Sequence, residues 1–492
     1  MRFTAVLLAL ACASHVHAAG IQMRQAFFNV LEARSHGEPG RYVELLVRFR
    51  TPHADGPMLS TEALPETLEE RAQAVDHRAG ALMSALASIP GELESALAPH
   101  LMAKSEVLDN LWAARCVHMR VPADQVAALL ANPGVDGVFE NVMLHAIPRG
   151  EHGAEAQGIQ AASGSATGAF ESWGQTKIRT LQAQQAFNVD GTGVVIGHID
   201  TGVDDTHPAL AGKVIRFRDF VNGQTRPYDD DGHGTHTAGT MAGRNGIGVA
   251  PGARLIVAKS LDRNGNGSLV NLLRAMQWML DPDGNPATND RPHLVSNSWG
   301  VRPGEAHLDG QEDTLFWETI RAWRTAGIIP VFSAGNSGTG RMLLPGSYPV
   351  NFAVGATDPS DNVANFSSSG QVNWQGWAFF KPDLSAPGTN IPSSLPGNRI
   401  GLISGTSMAA PHVAGLLALT IQLNPKISMR DREKILMDAC VDIGSPGRSQ
   451  RSGEGRIDAR KTLELIKAYT PPAVAPTDFA PVYMRARRFK VQ

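Results

Sequence analysis

The sequence predicts an α/β domain with a mostly parallel sheet flanked by helices, preceded by a small α+β domain. Three observations lead there. From about residue 170 to 469, short apolar runs alternate with longer amphipathic segments, the signature of strands and crossover helices. Before residue 149, strand-like and helix-like segments alternate within about 100 residues, too few for more than a small domain. Between them, RGEHGAEAQGIQAASGSATG (149–168) is nearly all small or polar and has no periodicity, so it reads as an exposed linker.

Taken in order, Met1-Arg2 and the apolar run Phe3–Ala13, followed by Val16 and Ala18, read as a secretory signal over 1–18. Residues 19–148 form the first domain. YVELLVRFR (42–50) alternates as a strand, 66–101 is helical in pattern, and RCVHMRV (115–121) alternates again. A short helix opened by Pro122-Ala123-Asp124 ends at Asn132-Pro133-Gly134, and 135–144 returns as a strand. The linker, 149–169, is of the kind that proteases cut. In the catalytic region, 170–470, strands are expected over Val194–Ile199, Leu255–Ala258, His293–Ser296, Ile328–Phe332 and Phe352–Gly355. Helices are expected over His236–Ala242, Leu269–Leu280, Gln311–Thr325, Ser407–Leu423 and Met429–Ala439. Residues 471–492 are a Pro-containing, partly basic tail, read as a frayed terminus.

Composition narrows the function. The 492 residues carry Lys+Arg 44 against Asp+Glu 47, so no basic field points to nucleic acid. The 42% hydrophobic content fits a globular chain. After the signal, no stretch reaches the roughly 18 apolar residues of a membrane span, so an exported monomer, extracellular or periplasmic, is expected. Of Cys12, Cys116 and Cys440, the last two fall in different domains, so no structural disulfide is expected.

Four segments could carry chemistry. GVVIGHIDTGVD ends a strand at Asp200, DGHGTHTAGTMAG places His233 before a small-residue helix, VFSAGNSG ends a strand before Asn336, and SGTSMAAPHVAG places Ser407 at a helix start. Singly, each has an ordinary reading: a turn-capping Asp, a pair of metal-binding histidines (His233 and His236), a turn Asn and an N-cap Ser. The zinc-hydrolase pattern H-E-x-x-H is absent, since no acid lies between the histidines. Together the four supply a set. A serine hydroxyl needs a base, an imidazole can be that base, a buried carboxylate fixes its tautomer, and an amide N–H can hold an oxyanion. The order Asp200, His233, Ser407 is not that of an α/β-hydrolase, where His follows Ser. Here only His412 follows, five residues on in the same helix.

At these residues the chain resembles the subtilisin-like serine proteases, the subtilase family. The resembling blocks are His198–Gly202, His233–Gly239 and Gly405–Gly415, with Ser333–Asn336 and Lys381–Gly388, in order across roughly 175 to 465. The resemblance implies a subtilisin-like fold and catalytic roles for Asp200, His233, Ser407 and Asn336. It implies a substrate edge at Ser298, Trp299 and Gly300, an opposing edge at Leu261–Gly267 including Gly265, and pocket positions near Gly335 and Leu343. It also implies protein or peptide substrates, and a first domain acting as a propeptide that assists folding and inhibits the enzyme until cut away. A catalytically inactive binding protein on the same fold is the alternative.

No cofactor is required for this chemistry. Asp262–Gly267 mimics half of an EF-hand loop, but position twelve is Leu273 rather than Glu. Ala209 stands where the family's usual calcium Asp would follow His207-Pro208. Structural calcium therefore stays open and unlocated, and the primary specificity defaults to broad or apolar.

Overall fold

The computed structural model describes residues 42–49, 105–130, 132, 134–144, 160–161, 172–285, 287–303, 314–374, 377–444, 447–470 and 489–490. The expected signal, the helical segment 66–101, and most of the linker and tail lie outside them.

In the first domain, strands β1 (Tyr42–Phe49), β2 (Glu106–Leu111), β3 (Cys116–Pro122) and β4 (Val135–Glu140) form an antiparallel sheet in the order β2-β3-β1-β4. Helix α1 (Val126–Leu130) joins β3 to β4. Strand β5 (Met143–Leu144) leaves this sheet, and β6 (Gln160–Ala161) follows in the linker.

The catalytic region opens with α2 (Trp173–Lys177) and α3 (Thr180–Phe187). Its sheet holds β7 (Val195–Asp200), β8 (Val214–Asp219), β9 (Arg254–Lys259), β11 (Leu294–Asn297), β12 (Ile329–Ser333), β13 (Phe352–Thr357) and β16 (Leu384–Pro387). Every pairing in the order β16-β13-β12-β11-β7-β9-β8 is parallel. The five expected strands are its five inner members. The two edges, β8 and β16, were not expected. VIRFRD in β8 is an edge strand with a register shift between Val214 and Arg216, and Ile215, Arg216 and Arg218 are exposed. LSAP in β16 is only four residues long.

Strand β10 (Gly267–Ser268) leads into α5 (Leu269–Trp278), following α4 (His233–Ala242). Next come α6 (Trp317–Thr325), α7 (Thr406–Leu423), α8 (Met429–Asp438) and α9 (Ala459–Ala468), the last not anticipated. Two antiparallel hairpins, β14 (Gly370–Trp374) with β15 (Trp377–Lys381) and β17 (Ile391–Leu395) with β18 (Arg399–Ile403), lie outside the parallel sheet. Strand β6 pairs with β18. In the tail, β19 (Phe489–Lys490) pairs antiparallel with Trp377–Ala378 on the β15 edge.

Among the described residues α7 alone is long and apolar enough to cross a membrane, but 89% of it is buried. It is a core helix, apolar all round because it has the sheet on one side and α4 and α9 on others.

The first domain packs on α5 and α6, and one apolar cluster runs through both. Ala113 N donates to Gln277 Oε1 at 3.0 Å, and Gln277 Nε2 donates to Asn110 O at 3.2 Å. Arg115 Nη1 lies 3.6 Å from Glu318 Oε1. β5 pairs antiparallel with β10, Leu144 opposite Gly267. Leu269 N donates to Val142 O (3.1 Å) and Val270 N to Asn141 Oδ1 (3.2 Å). These are N–H groups that the first turn of α5 cannot satisfy itself. Cys116 and Cys440 are both buried, their thiols donating to Ala114 O (3.3 Å) and Leu436 O (3.4 Å).

Candidate active site

In the parallel sheet the strand order reverses between β7 and β11, and open α/β sheets bind ligands beyond the carboxyl ends of strands at such a point. Asp200 ends β7, Ser298 follows β11, and Asn336 follows β12 by three residues.

Asp200 is fully buried. Its Oδ1 lies 2.7 Å from His233 Nδ1 and accepts Thr201 N at 2.8 Å, while Thr237 Oγ1 donates to Oδ2 at 3.4 Å. Burial alone would raise this carboxyl, but the charge and hydrogen bond of His233 outweigh it and hold it below the usual carboxylate value. The reverse holds for His233. Burial opposes its charged form, yet Asp200 raises its pKa above the ordinary imidazole value. The Nδ1 contact directs the other nitrogen, Nε2, elsewhere, and that atom is buried without a hydrogen-bond partner among the described residues.

The start of α4 can approach β7 this closely because residue 234 is glycine. A Cβ there would lie 2.1 Å from Gly202 O. Asp229 organises the loop before His233. Its Oδ1 accepts Thr201 Oγ1 (2.9 Å) and Gly232 N (2.9 Å), and its Oδ2 accepts Thr235 N (2.8 Å) and Thr235 Oγ1 (2.6 Å). Lys259 is buried at the end of β9, opposite Asp200, and donates to Thr201 O (2.6 Å), Asp230 Oδ1 (2.6 Å) and Leu261 O (3.0 Å).

Ser407 occupies the first turn of α7. Its Oγ donates to Ser298 O at 3.0 Å, and Ser298 Oγ donates back to Ser407 O at 2.8 Å. Asn336 Oδ1 accepts Thr406 N and Thr406 Oγ1, each at 2.9 Å. A backbone N–H can only donate, so this fixes the amide orientation and leaves Nδ2 as the outward donor. A Cβ at Gly405 would lie 3.3 Å from Asn336 Nδ2 and 3.6 Å from Ser407 N, so glycine keeps open the space that both nitrogens border. A hydroxyl, an imidazole with a free nitrogen, a buried carboxylate and paired N–H donors are what acyl transfer to serine needs.

The remaining expected residues divide. Trp299 points its side chain into the core, edge-on to Phe316 (5.7 Å) and Phe332 (5.6 Å), so only its backbone faces an edge. Gly300 and Gly335 both abut Leu343. Gly265 sits in the turn Asp262–Gly267, where Asp262 Oδ1 accepts Asn264 N and Asn266 N. His236 does not join His233 as a metal pair. Its Nε2 donates to Ile391 O (2.8 Å) and Gly401 O (3.2 Å), and burial lowers its pKa to about 3. His412 Nδ1 donates to Met408 O at 2.8 Å, back along its own helix. The contributions of Thr201, Asp229, Lys259 and Thr406 were missed. Thr201 and Thr406 stand inside the motif blocks, where their polar side chains were the available signal, whereas Asp229 and Lys259 lie outside them.

Among the described residues, the carboxylates of Asp281, Asp283 and Asp290 lie within 4.8 Å of one another. Such oxygens suit a hard cation, but Arg216 Nη2 already lies 3.5 Å from Asp283 and 3.3 Å from Asp290. Three carboxylates carry six oxygens, the lower end of the six to eight that calcium takes, and the Arg216 guanidinium competes for them.

Residues 191–455 match the model of the subtilase family. The chain belongs to that family and is a serine protease. It is 34% identical over 293 residues to Subtilisin Savinase of Lederbergia lenta, covering 58% of this chain and 96% of that protein. It is 40% identical over 280 residues to Bacillopeptidase F of Bacillus subtilis (strain 168), covering 51% of this chain but only 19% of that protein. It is also 39% identical over 233 residues to Thermophilic serine proteinase of Bacillus sp. (strain AK1), covering 46% of this chain and 52% of that protein. The chain thus spans a small part of one relative and nearly all of another.

Proposed function

We propose that the chain is a secreted serine endopeptidase made as a self-processed precursor. Its parts are a signal (1–18), a propeptide (19–148), a linker with the processing site (149–169), a catalytic domain (170–470) and a tail (471–492). His233 takes the proton of Ser407 as Oγ attacks the substrate carbonyl, and then gives it to the leaving amine. Asp200 orients and stabilises the imidazolium. Asn336 Nδ2 and Ser407 N hold the oxyanion of each tetrahedral intermediate, and water then hydrolyses the acyl-enzyme. Substrate adds as a strand between Ser298–Gly300 and the Gly265–Gly267 edge.

The observation that carries this reading is the 2.7 Å Asp200–His233 contact with the far ring nitrogen left unpartnered. The antiparallel seating of Met143–Leu144 on Gly267–Ser268 supports the propeptide role, since it occupies an expected substrate edge. The experiment is fluorophosphonate labelling of the wild type and of Ser407→Ala. Labelling lost in the variant, with loss of turnover on the order of 10⁶, the magnitude known for subtilisin, is the expected result. The Ser407→Ala precursor should also stay uncut between about Pro148 and Phe170. An unlabelled wild type would favour an inactive binding protein, and maturation of the variant without another protease would reject self-cleavage.

A further inference from the structure

Gly300 and Gly335 face one another across the isobutyl group of Leu343. A Cβ at Gly300 would lie 2.9 Å from Leu343 Cβ and 3.2 Å from its Cδ1. A Cβ at Gly335 would lie 2.6 Å from Leu343 Cγ and 2.8 Å from its Cδ1. Carbon atoms do not pack closer than about 3.5 Å, so the leucine rests directly on the backbone of both glycines. Gly335 immediately precedes Asn336. Gly300 is two residues past Ser298, whose carbonyl accepts from Ser407 Oγ. The gap between these two walls is therefore the space beside the nucleophile and the outward amide donor.

Two glycines facing each other would leave a slot deep enough for a large side chain. Leu343 takes that volume, and it is only 3% exposed. Its backbone is pinned to both walls. Leu343 N donates to Ala334 O (3.4 Å), and Leu344 exchanges hydrogen bonds with Val301 at 2.8 and 2.9 Å. The isobutyl group is thus held in place by its own segment.

We infer that Leu343 is a specificity-determining residue that fills the primary subsite, so that the enzyme takes glycine, alanine or serine on the acyl side of the scissile bond and rejects leucine, phenylalanine and tyrosine. This rests on the proposed reading of Ser407 and narrows the broad or apolar preference expected from sequence. A pocket already full of carbon cannot admit added methylenes, each of which shifts kcat/KM by about tenfold or more.

The test uses enzyme obtained from the full chain, with succinyl-Ala-Ala-Pro-X p-nitroanilides in which X is Ala, Leu or Phe, and fluorophosphonate titration to count active sites. Per active site, kcat/KM for Ala should exceed that for Phe by at least about tenfold. Leu343→Gly should bring the ratio to unity or reverse it, chiefly by raising kcat/KM for Phe. If Leu343→Gly does not fold, Leu343→Ala reads the same shift at smaller amplitude. Labelled wild type that hydrolyses Phe as well as Ala, or a labelled variant with an unchanged ratio, overturns the inference alone. Absence of both labelling and turnover overturns the reading of Ser407, and this inference with it.

Discussion

Ser298 and Ser407 exchange two hydrogen bonds, each hydroxyl donating to the other's carbonyl, at 2.8 and 3.0 Å. The exchange follows from a proline. Pro411 stands four residues after Ser407 inside α7 and has no N–H, so the Ser407 carbonyl has no intrahelical donor. Ser298 Oγ supplies the missing bond. Ser298→Ala should leave a buried carbonyl unsatisfied and lower stability by about 1–3 kcal/mol, read as a shift in the denaturant midpoint. An unchanged midpoint would mean that another donor takes its place.

In the reading proposed above, Asn336 has two jobs on opposite sides of one amide, tying Thr406 through Oδ1 and holding the oxyanion through Nδ2. Asn336→Ala should cut kcat by about 10²–10³, the magnitude known for subtilisin's own oxyanion donor. Asn336→Asp keeps an acceptor for Thr406 N but loses the donor. If transition-state stabilisation is the dominant effect, it should be no more active than the alanine variant. Recovery of turnover in Asn336→Asp would place the loss in the Thr406 tie instead.

The pH profile should report the coupled pair. A base must be neutral to accept a proton, so activity rises as pH climbs through the pKa of His233. Asp200 holds that pKa above the ordinary imidazole value, so the acid limb of kcat/KM should lie above about 6.5. Asp200→Asn removes the largest raising influence and leaves burial, which lowers the pKa, against the weaker pull of Asp231 and Asp229. The residual activity of that variant should have its acid limb at lower pH than the wild type. A limb that stays put would remove His233 as the titrating base.

Lys259 tests the scaffold under the site. Its ammonium is fully buried and donates to Thr201 O, Leu261 O and Asp230. Lys259→Met should destabilise by about 1–3 kcal/mol, because it leaves the buried carbonyls of Thr201 and Leu261 without their donor, whereas the exposed Asp230 turns to solvent. Thermal unfolding of the inactive Ser407→Ala background, which avoids self-digestion, gives the measurement.

The legible parts of the fold were those that bury everything. Val195–Asp200, Ile329–Ser333 and Phe352–Thr357 are covered on both faces, so they read as apolar runs. Val214–Asp219 carries two arginines because it is an edge, and Ala459–Ala468 mixes charges through its helical period. At the site, side-chain chemistry and chain order brought out Asp200, His233, Asn336 and Ser407. The Ser298–Ser407 exchange and the Thr406 grip on Asn336 depend on backbone carbonyls and rotamers that no residue letter records. Leu343 was visible as a pocket neighbour, but its obstruction of the slot emerges only from distances to two absent Cβ atoms.

Cys116 and Cys440 are buried far apart in the sequence, one at the start of β3 and one after α8, and no disulfide joins them to each other. Among the described residues, then, no covalent tether would outlast a cut in the linker. Uncut, the two pieces meet at the high effective concentration of a single chain; after the cut we propose, they would obey mass action. Dilution would then favour their separation, and crowding their reunion.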